Sequence, residues 1–217
     1  TIPAATTMIR GSQLSQAAQL MNDHLNYARQ VAISKSRPVE IRFYRFADPE
    51  IPDETPDDPE TWRFRAMQTF EVVESGASVP VGKITRLPQT VVMNRSEELS
   101  TLLGDEWAQP YQKPNSGMDP EIPGEIRVDG KQVKTGHSYE FVSFRFHPDG
   151  STNLPLITGS TAIDEVGSRP SSGGRWYITL QGAEQKDTRQ TVEGINFYTL
   201  QIDPATGNVR SYRPNAS

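Results

Sequence analysis

The chain has 217 residues, no cysteine, and 22 basic against 27 acidic side chains, for a formal net charge of −5. Without cysteine there are no disulfides, thiolate metal sites or cysteine nucleophiles. The acidic balance argues against a dedicated nucleic-acid binder, which carries a basic surface to displace phosphate counterions. Hydrophobic residues at 35% suffice for a core, while 16 Gly and 17 Pro imply long solvated loops. No run of about 18 apolar residues exists to span a membrane. Thr1 is not a start methionine, so the expectation is a fragment or processed product from which any N-terminal anchor has been removed.

"TIPAATTMIRG" reads as a polar lead-in without periodicity, and Ser12 as an N-cap whose hydroxyl accepts from an orphan amide of the first turn. From there Leu14, Ala18, Met21, Leu25, Ala28 and Ala32 recur in steps of four and three, on one face of a helix expected over 12–35. Gln13, Gln16, Gln19, Asn22, Asp23, Asn26 and Gln30 occupy the other face. The alanines of the stripe bring the backbone close to its packing partner, and Leu14, Met21 and Leu25 fill the gaps. Pro38 ends the helix by pushing the preceding residue out of the α region.

Val39, Ile41 and Phe43 alternate with Glu40, Arg42 and Tyr44, which predicts a half-buried strand. "ADPEIPDETPDDPE" predicts an exposed acidic loop. "TWRFRAMQTFEVVES" and "VGKITRLPQTVVMN" each read as one strand, joined by the turn "ESGASVPVG" into a hairpin. "SEELSTLLG" reads as a short helix capped by Ser96 and stopped by Gly104. Residues 105–137 are polar, with a short strand at Glu125–Val128 and a turn at "DGK". "YEFVSFRFHPDGSTNLPL" is the strongest strand-and-turn signal. "TGSTAIDEVGSRPSSGG" is a second loop, and "RWYITL" and "INFYTLQIDPATGNVRSYRP" supply three more strands. The sum is one α+β domain: a helix at 12–35 packed on an antiparallel sheet or sandwich, and a β-rich head at 39–217 with insertions at 48–60, 104–138 and 155–175.

Chemistry is hard to find. His24, His137 and His147 lack the paired spacing of a metal site, and solvated or structural roles are preferred. No nucleophile elbow, phosphate-binding loop or dinucleotide fingerprint occurs, and Gly173 and Gly174 do not open a helix. The acidic loop residues Asp48, Glu50, Asp53, Glu54, Asp57, Asp58 and Glu60 offer oxygen ligands for calcium, but not in the order of an EF-hand. Arg37, Arg42 and Arg45 near the first strand, and Arg210 with Arg213 around Tyr212, are the basic groupings. The C-terminal trio has the composition to grip a nucleic-acid backbone and stack on a base, though solvated strand-end arginines are the commoner case. Trp62, Trp107 and Trp176 are stacking platforms in an adhesive, carbohydrate-binding reading, and core or loop anchors otherwise.

"LSQAAQLMNDHLNYARQVAISKSRPVEIRF" resembles the start of the soluble domain of GspH/FimT-type minor pseudopilins. "RLPQTVVM", "FRFHPDGSTN" and "LQIDPATGNVRSYRP" are similar to later strands and hairpins of that family, in the same order. A closer likeness is to the verrucomicrobial group called Verru_Chthon cassette protein D, through "VEIRFYRF", "FRAMQTFEV" and "FHPDGSTNL". The resemblance covers about 12–103 and 139–214. It implies a pilin-like fold, no enzymatic activity and no cofactor, and no metal site is assigned from the residues. It further implies an inner-membrane anchor through a hydrophobic half-helix, and a periplasmic head. The partners implied are other pilins or pseudopilins of one filament and secreted cargo, in a type II secretion or type IV pilus-like system, with the isolated soluble domain a monomer. A branch of the family binds DNA during uptake through basic C-terminal residues, and Arg210 and Arg213 match that region.

Overall fold

The computed structural model describes residues 3–48, 51, 53–55, 58–96, 99–103, 127–128, 131–132, 139–154, 176–185 and 196–213. The first element, α1, runs over Pro3–Lys35. Ser12 therefore lies inside the helix and caps nothing, and the predicted lead-in is helical. Proline suits a first helical turn, where its missing N–H has no partner to lose. Ala4, Ala5 and Met8 that follow are good helix formers, which absence of an apolar stripe had hidden.

The helix ends in a Schellman arrangement. The Arg37 N–H donates to the Ala32 carbonyl (3.2 Å) and the Ser36 N–H to that of Ile33 (3.3 Å). Ser36 holds φ at 51°, the left-handed region where glycine is usual.

Among the described residues eleven strands follow, from β1 to β11: Val39–Phe46, Arg63–Val72, Ser78–Pro80, Thr85–Arg86, Val91–Met93, Arg127–Val128, Lys131–Gln132, Glu140–Phe146, Trp176–Gly182, Phe197–Ile202 and Val209–Tyr212. Nine form one sheet, with the order β11-β10-β9-β5-β2-β1-β8 and with β3 and β4 also pairing β2, while β6 and β7 make a separate two-stranded ribbon. All pairings among the described strands are antiparallel. The molecule is thus α+β, one N-terminal helix on a large antiparallel sheet, and the sandwich alternative is not what forms.

Leu14, Ala18, Met21, Leu25, Ala28 and Ala32 are all buried, together with Ala17 and Val31. They meet Val39, Ile41, Phe43, Phe64, Met67, Phe144, Phe146, Ile178, Leu180, Leu200 and Ile202 in one core. Each large side chain of the stripe contributes roughly 1.5–3 kcal/mol by leaving water.

The ends of the sheet come together. The turn after β8 and the β10–β11 turn belong to opposite sides of the strand order. Yet the Thr152 N–H and hydroxyl both donate to the Pro204 carbonyl, at 2.8 and 3.1 Å. A Cβ on Gly207 would stand 2.1 Å from the Gly150 carbonyl oxygen, so only glycine fits that crossing. Arg29 of α1 donates from Nε to the same Gly150 oxygen (3.2 Å). The sheet therefore curls around α1, which touches β1, β5, β8, β9, β10 and β11.

Three predicted elements come out differently. The single strand read into "VGKITRLPQTVVMN", with its turn, is three short pieces, β3, β4 and β5, because Gly82 and Pro88 interrupt the pairing along β2. In "SEELSTLLG" the described residues make turns rather than a helix. Ser100 Oγ and Thr101 Oγ1 accept from the Thr179 and Tyr177 amides, continuing the β5 side of β9. The strand expected at Glu125–Val128 is Arg127–Val128, paired with Lys131–Gln132; Glu125, Ile126 and the Asp129 and Gly130 of the predicted turn lie outside the described residues.

Candidate functional site

The sheet face turned away from α1 is where the sequence reading departs most from the structure. Strand β1 is buried on both sides: Glu40 is 4% exposed and Tyr44 1%. The outward residues were expected to be solvated, but long side chains from β1, β2 and β8 cover one another. Tyr44, Phe46, Ala66, Phe70 and Phe141 make a second apolar cluster there.

Arg42 sits between two rings, 4.2 Å from the Phe70 centroid and 4.7 Å from that of Phe141. Its Nε donates to Glu40 Oε1 at 2.5 Å. The other Glu40 oxygen accepts from Arg145 at 3.1 Å and from the Ser78 hydroxyl at 3.4 Å. Burial pushes the Tyr44 phenol well above its ordinary value, with the neighbouring Arg42 opposing.

At Asp48 and Glu54 the predicted acidic loop is drawn inward, while Asp53, Asp58 and Glu60 stay exposed as expected. Opposite the Tyr44–Arg45 step of β1, β2 carries one extra residue, Arg65, at a bulge. Its guanidinium donates to Asp48 Oδ2 (3.0 Å) and to Glu54 Oε1, while Glu54 Oε2 accepts from the Asp48 amide (2.7 Å). Arg86 adds a contact to Asp48 at 3.3 Å. Burial pulls the Arg65 guanidinium below its ordinary value, and Glu54 and Asp48 oppose that pull. These carboxylates are thus engaged by arginine, and no cluster able to hold a metal occurs among the described residues. Glu50 and Asp57 lie outside them.

The first basic grouping is similarly spent. Arg37 pairs with Glu71 and Glu74, and Arg45 with Glu140 in a buried contact. Lys35 also holds Glu71 (2.5 Å), and its hydrogen bond lowers that carboxyl's pKa.

His24, predicted to lie on or beside the helix stripe, is half-buried against the sheet. Its Nε2 is 3.0 Å from Thr69 Oγ1 and its Nδ1 3.4 Å from Thr85 Oγ1, and burial lowers its pKa to about 4. His147 opens the β8 turn, and His137 lies outside the described residues. Of the tryptophans, Trp62 is 3% exposed and donates to the Thr55 carbonyl (3.0 Å), while Trp176 is 1% exposed in the core. Neither offers a stacking surface, and Trp107 is outside the described residues.

The two C-terminal arginines do not converge. On β11, Arg210 and Tyr212 oppose Gln201 and Thr199 of β10, the positions that alternate with core residues Leu200 and Ile202. They face away from the helix and are exposed. Arg213 turns the other way, over the Tyr198 ring (5.6 Å) and toward Asn196 and the Ser15 hydroxyl of α1. Strand alternation separates what sequence proximity suggested. No described helix is long and apolar enough to cross a membrane. No family model, no curated protein and no solved structure matches this chain.

Proposed function

We propose that this chain is the head and helix of a minor-pseudopilin-like subunit, acting without catalysis in the assembly or priming of a type II secretion or type IV pilus-like filament, or in contacting its cargo. The observation that carries the reading is the helix. Its side from Leu14 to Ala32 is enclosed by the curled sheet, while Gln16, Gln19, Asp23, Tyr27 and Gln30 remain exposed along it. From Gly11 the helical backbone continues about two further turns to Pro3. A rod with one embedded face and one free face suits a subunit whose helix packs among others. On this reading the helix is the strut joining a periplasmic head to an inner-membrane anchor.

These 217 residues contain no cysteine, so an introduced one is unique among them. Single-cysteine variants at Gln16 and Tyr27, placed in the full gene product in its native cells, are expected in the membrane fraction and cross-linked to pilin-like subunits. Recovery entirely in the soluble fraction, without such cross-links, overturns the proposal. Salt-sensitive DNA retention that is lost on replacing Arg210 and Arg213 by Ala moves the assignment to the DNA-uptake branch.

A further inference from the structure

The outer edge of β11 offers an interaction surface of a different kind from the helix. The Asp203 N–H donates to the Asn208 carbonyl (3.0 Å), which fixes the hydrogen-bond alternation of the β10–β11 hairpin. By that alternation Arg210 and Tyr212 turn their backbone groups to β10, and Val209 and Ser211 turn theirs outward. Nothing among the described residues pairs with those outward amides and carbonyls. Elsewhere several such groups are sealed. The end of β8 is closed by its own return, with Asn153 bonding both the amide and the carbonyl of Arg145 and the Ser151 carbonyl accepting from His147. The Tyr177 and Thr179 amides of β9 are closed by hydroxyls.

Beside the open edge, Arg210 is exposed and makes no ion pair among the described residues, and Tyr212 is 46% exposed on the same face. We infer that β11 accepts an extended acidic segment of a partner polypeptide as an added antiparallel strand. Main-chain bonds to Val209 and Ser211 supply the grip. A carboxylate opposite Arg210 and an aromatic or β-branched side chain opposite Tyr212 supply the choice. Antiparallel addition reads the partner as apolar-x-acidic, in that order. This surface is independent of the filament assignment, because it uses no residue of the exposed helix face.

The probe is a fluorescein-labelled ten-residue peptide of alternating Thr and Val around Tyr-Thr-Glu, with a Tyr-Thr-Lys control, read by anisotropy against the purified chain. The Glu peptide is expected to bind at least tenfold more tightly than the Lys peptide. Arg210→Glu reverses that preference. Ser211→Pro removes one outward N–H and abolishes binding of both while leaving the melting temperature unchanged. Equal binding of the two peptides, no binding up to millimolar chain, or saturation of the edge by a second copy of the chain in sedimentation each overturns the inference.

Discussion

Acidification strikes this fold first at the contact between α1 and the middle of the sheet. His24 is held against Thr69 of β2 and Thr85 of β4, and burial lowers its pKa from 6.5 to about 4. In the unfolded chain the imidazole titrates near its ordinary value of about 6.5. Between those two values the unfolded state binds the extra proton and the folded state does not, so stability falls as pH falls. The contribution is fully present above about pH 6.5 and exhausted near pH 4. At about 1.4 kcal/mol for each tenfold change in proton affinity, it amounts to roughly 3 kcal/mol. Urea unfolding followed by tryptophan fluorescence at pH 7, 5.5 and 4.5 measures it, with His24→Gln as the reference. The variant retains a side chain able to meet Thr69 but has no proton to gain. The wild type is expected to lose roughly 2–3 kcal/mol more than the variant across that range. Parallel stability curves for the two proteins would refute the reasoning, since carboxylates elsewhere titrate alike in both.

Four further outcomes follow from the geometry. Gly207→Ala is expected to cost about 3 kcal/mol or more in denaturant melts, because its methyl meets backbone at 2.1 Å. Gly150→Ala, facing only movable ends of Arg29 and Ile33, is expected to cost about 1–2 kcal/mol. Ser36→Gly relieves a left-handed serine at the exposed helix end and is expected to stabilise by about 1 kcal/mol, visible as a higher melting temperature by circular dichroism. Arg65→Met removes the buried cation between the Asp48 and Glu54 carboxylates and is expected to destabilise by about 3 kcal/mol at pH 7, with a sharp gain in cleavage of the 48–61 segment by limited proteolysis.

The helix stripe, β1, the "HPDG" turn and the closing hairpin were legible because each rests on local signals: three-four spacing, alternation, and glycines at positive φ (Gly150 at 85°, Gly207 at 65°). What escaped depends on residues far apart in the chain. Glu40 and Arg42 look like solvent-facing positions until Phe70, Phe141 and Arg145 arrive from other strands to cover them. The acidic loop looks free until a bulge aims Arg65 at it. Charge in a sequence states a hydration preference, and a buried counter-ion can override that preference without leaving any periodic trace. Nor does proximity in sequence guarantee a shared face, as Arg210 and Arg213 show.

The meeting of the Gly150 and Gly207 turns carries a mechanical consequence. With the two flanks of the sheet buttoned together beside Arg29, the rod is held as a bolt in a collar. Tension applied along its axis has to spread the collar or shear many side chains at once, so the head should resist pulling far better than it resists peeling from the β11 side.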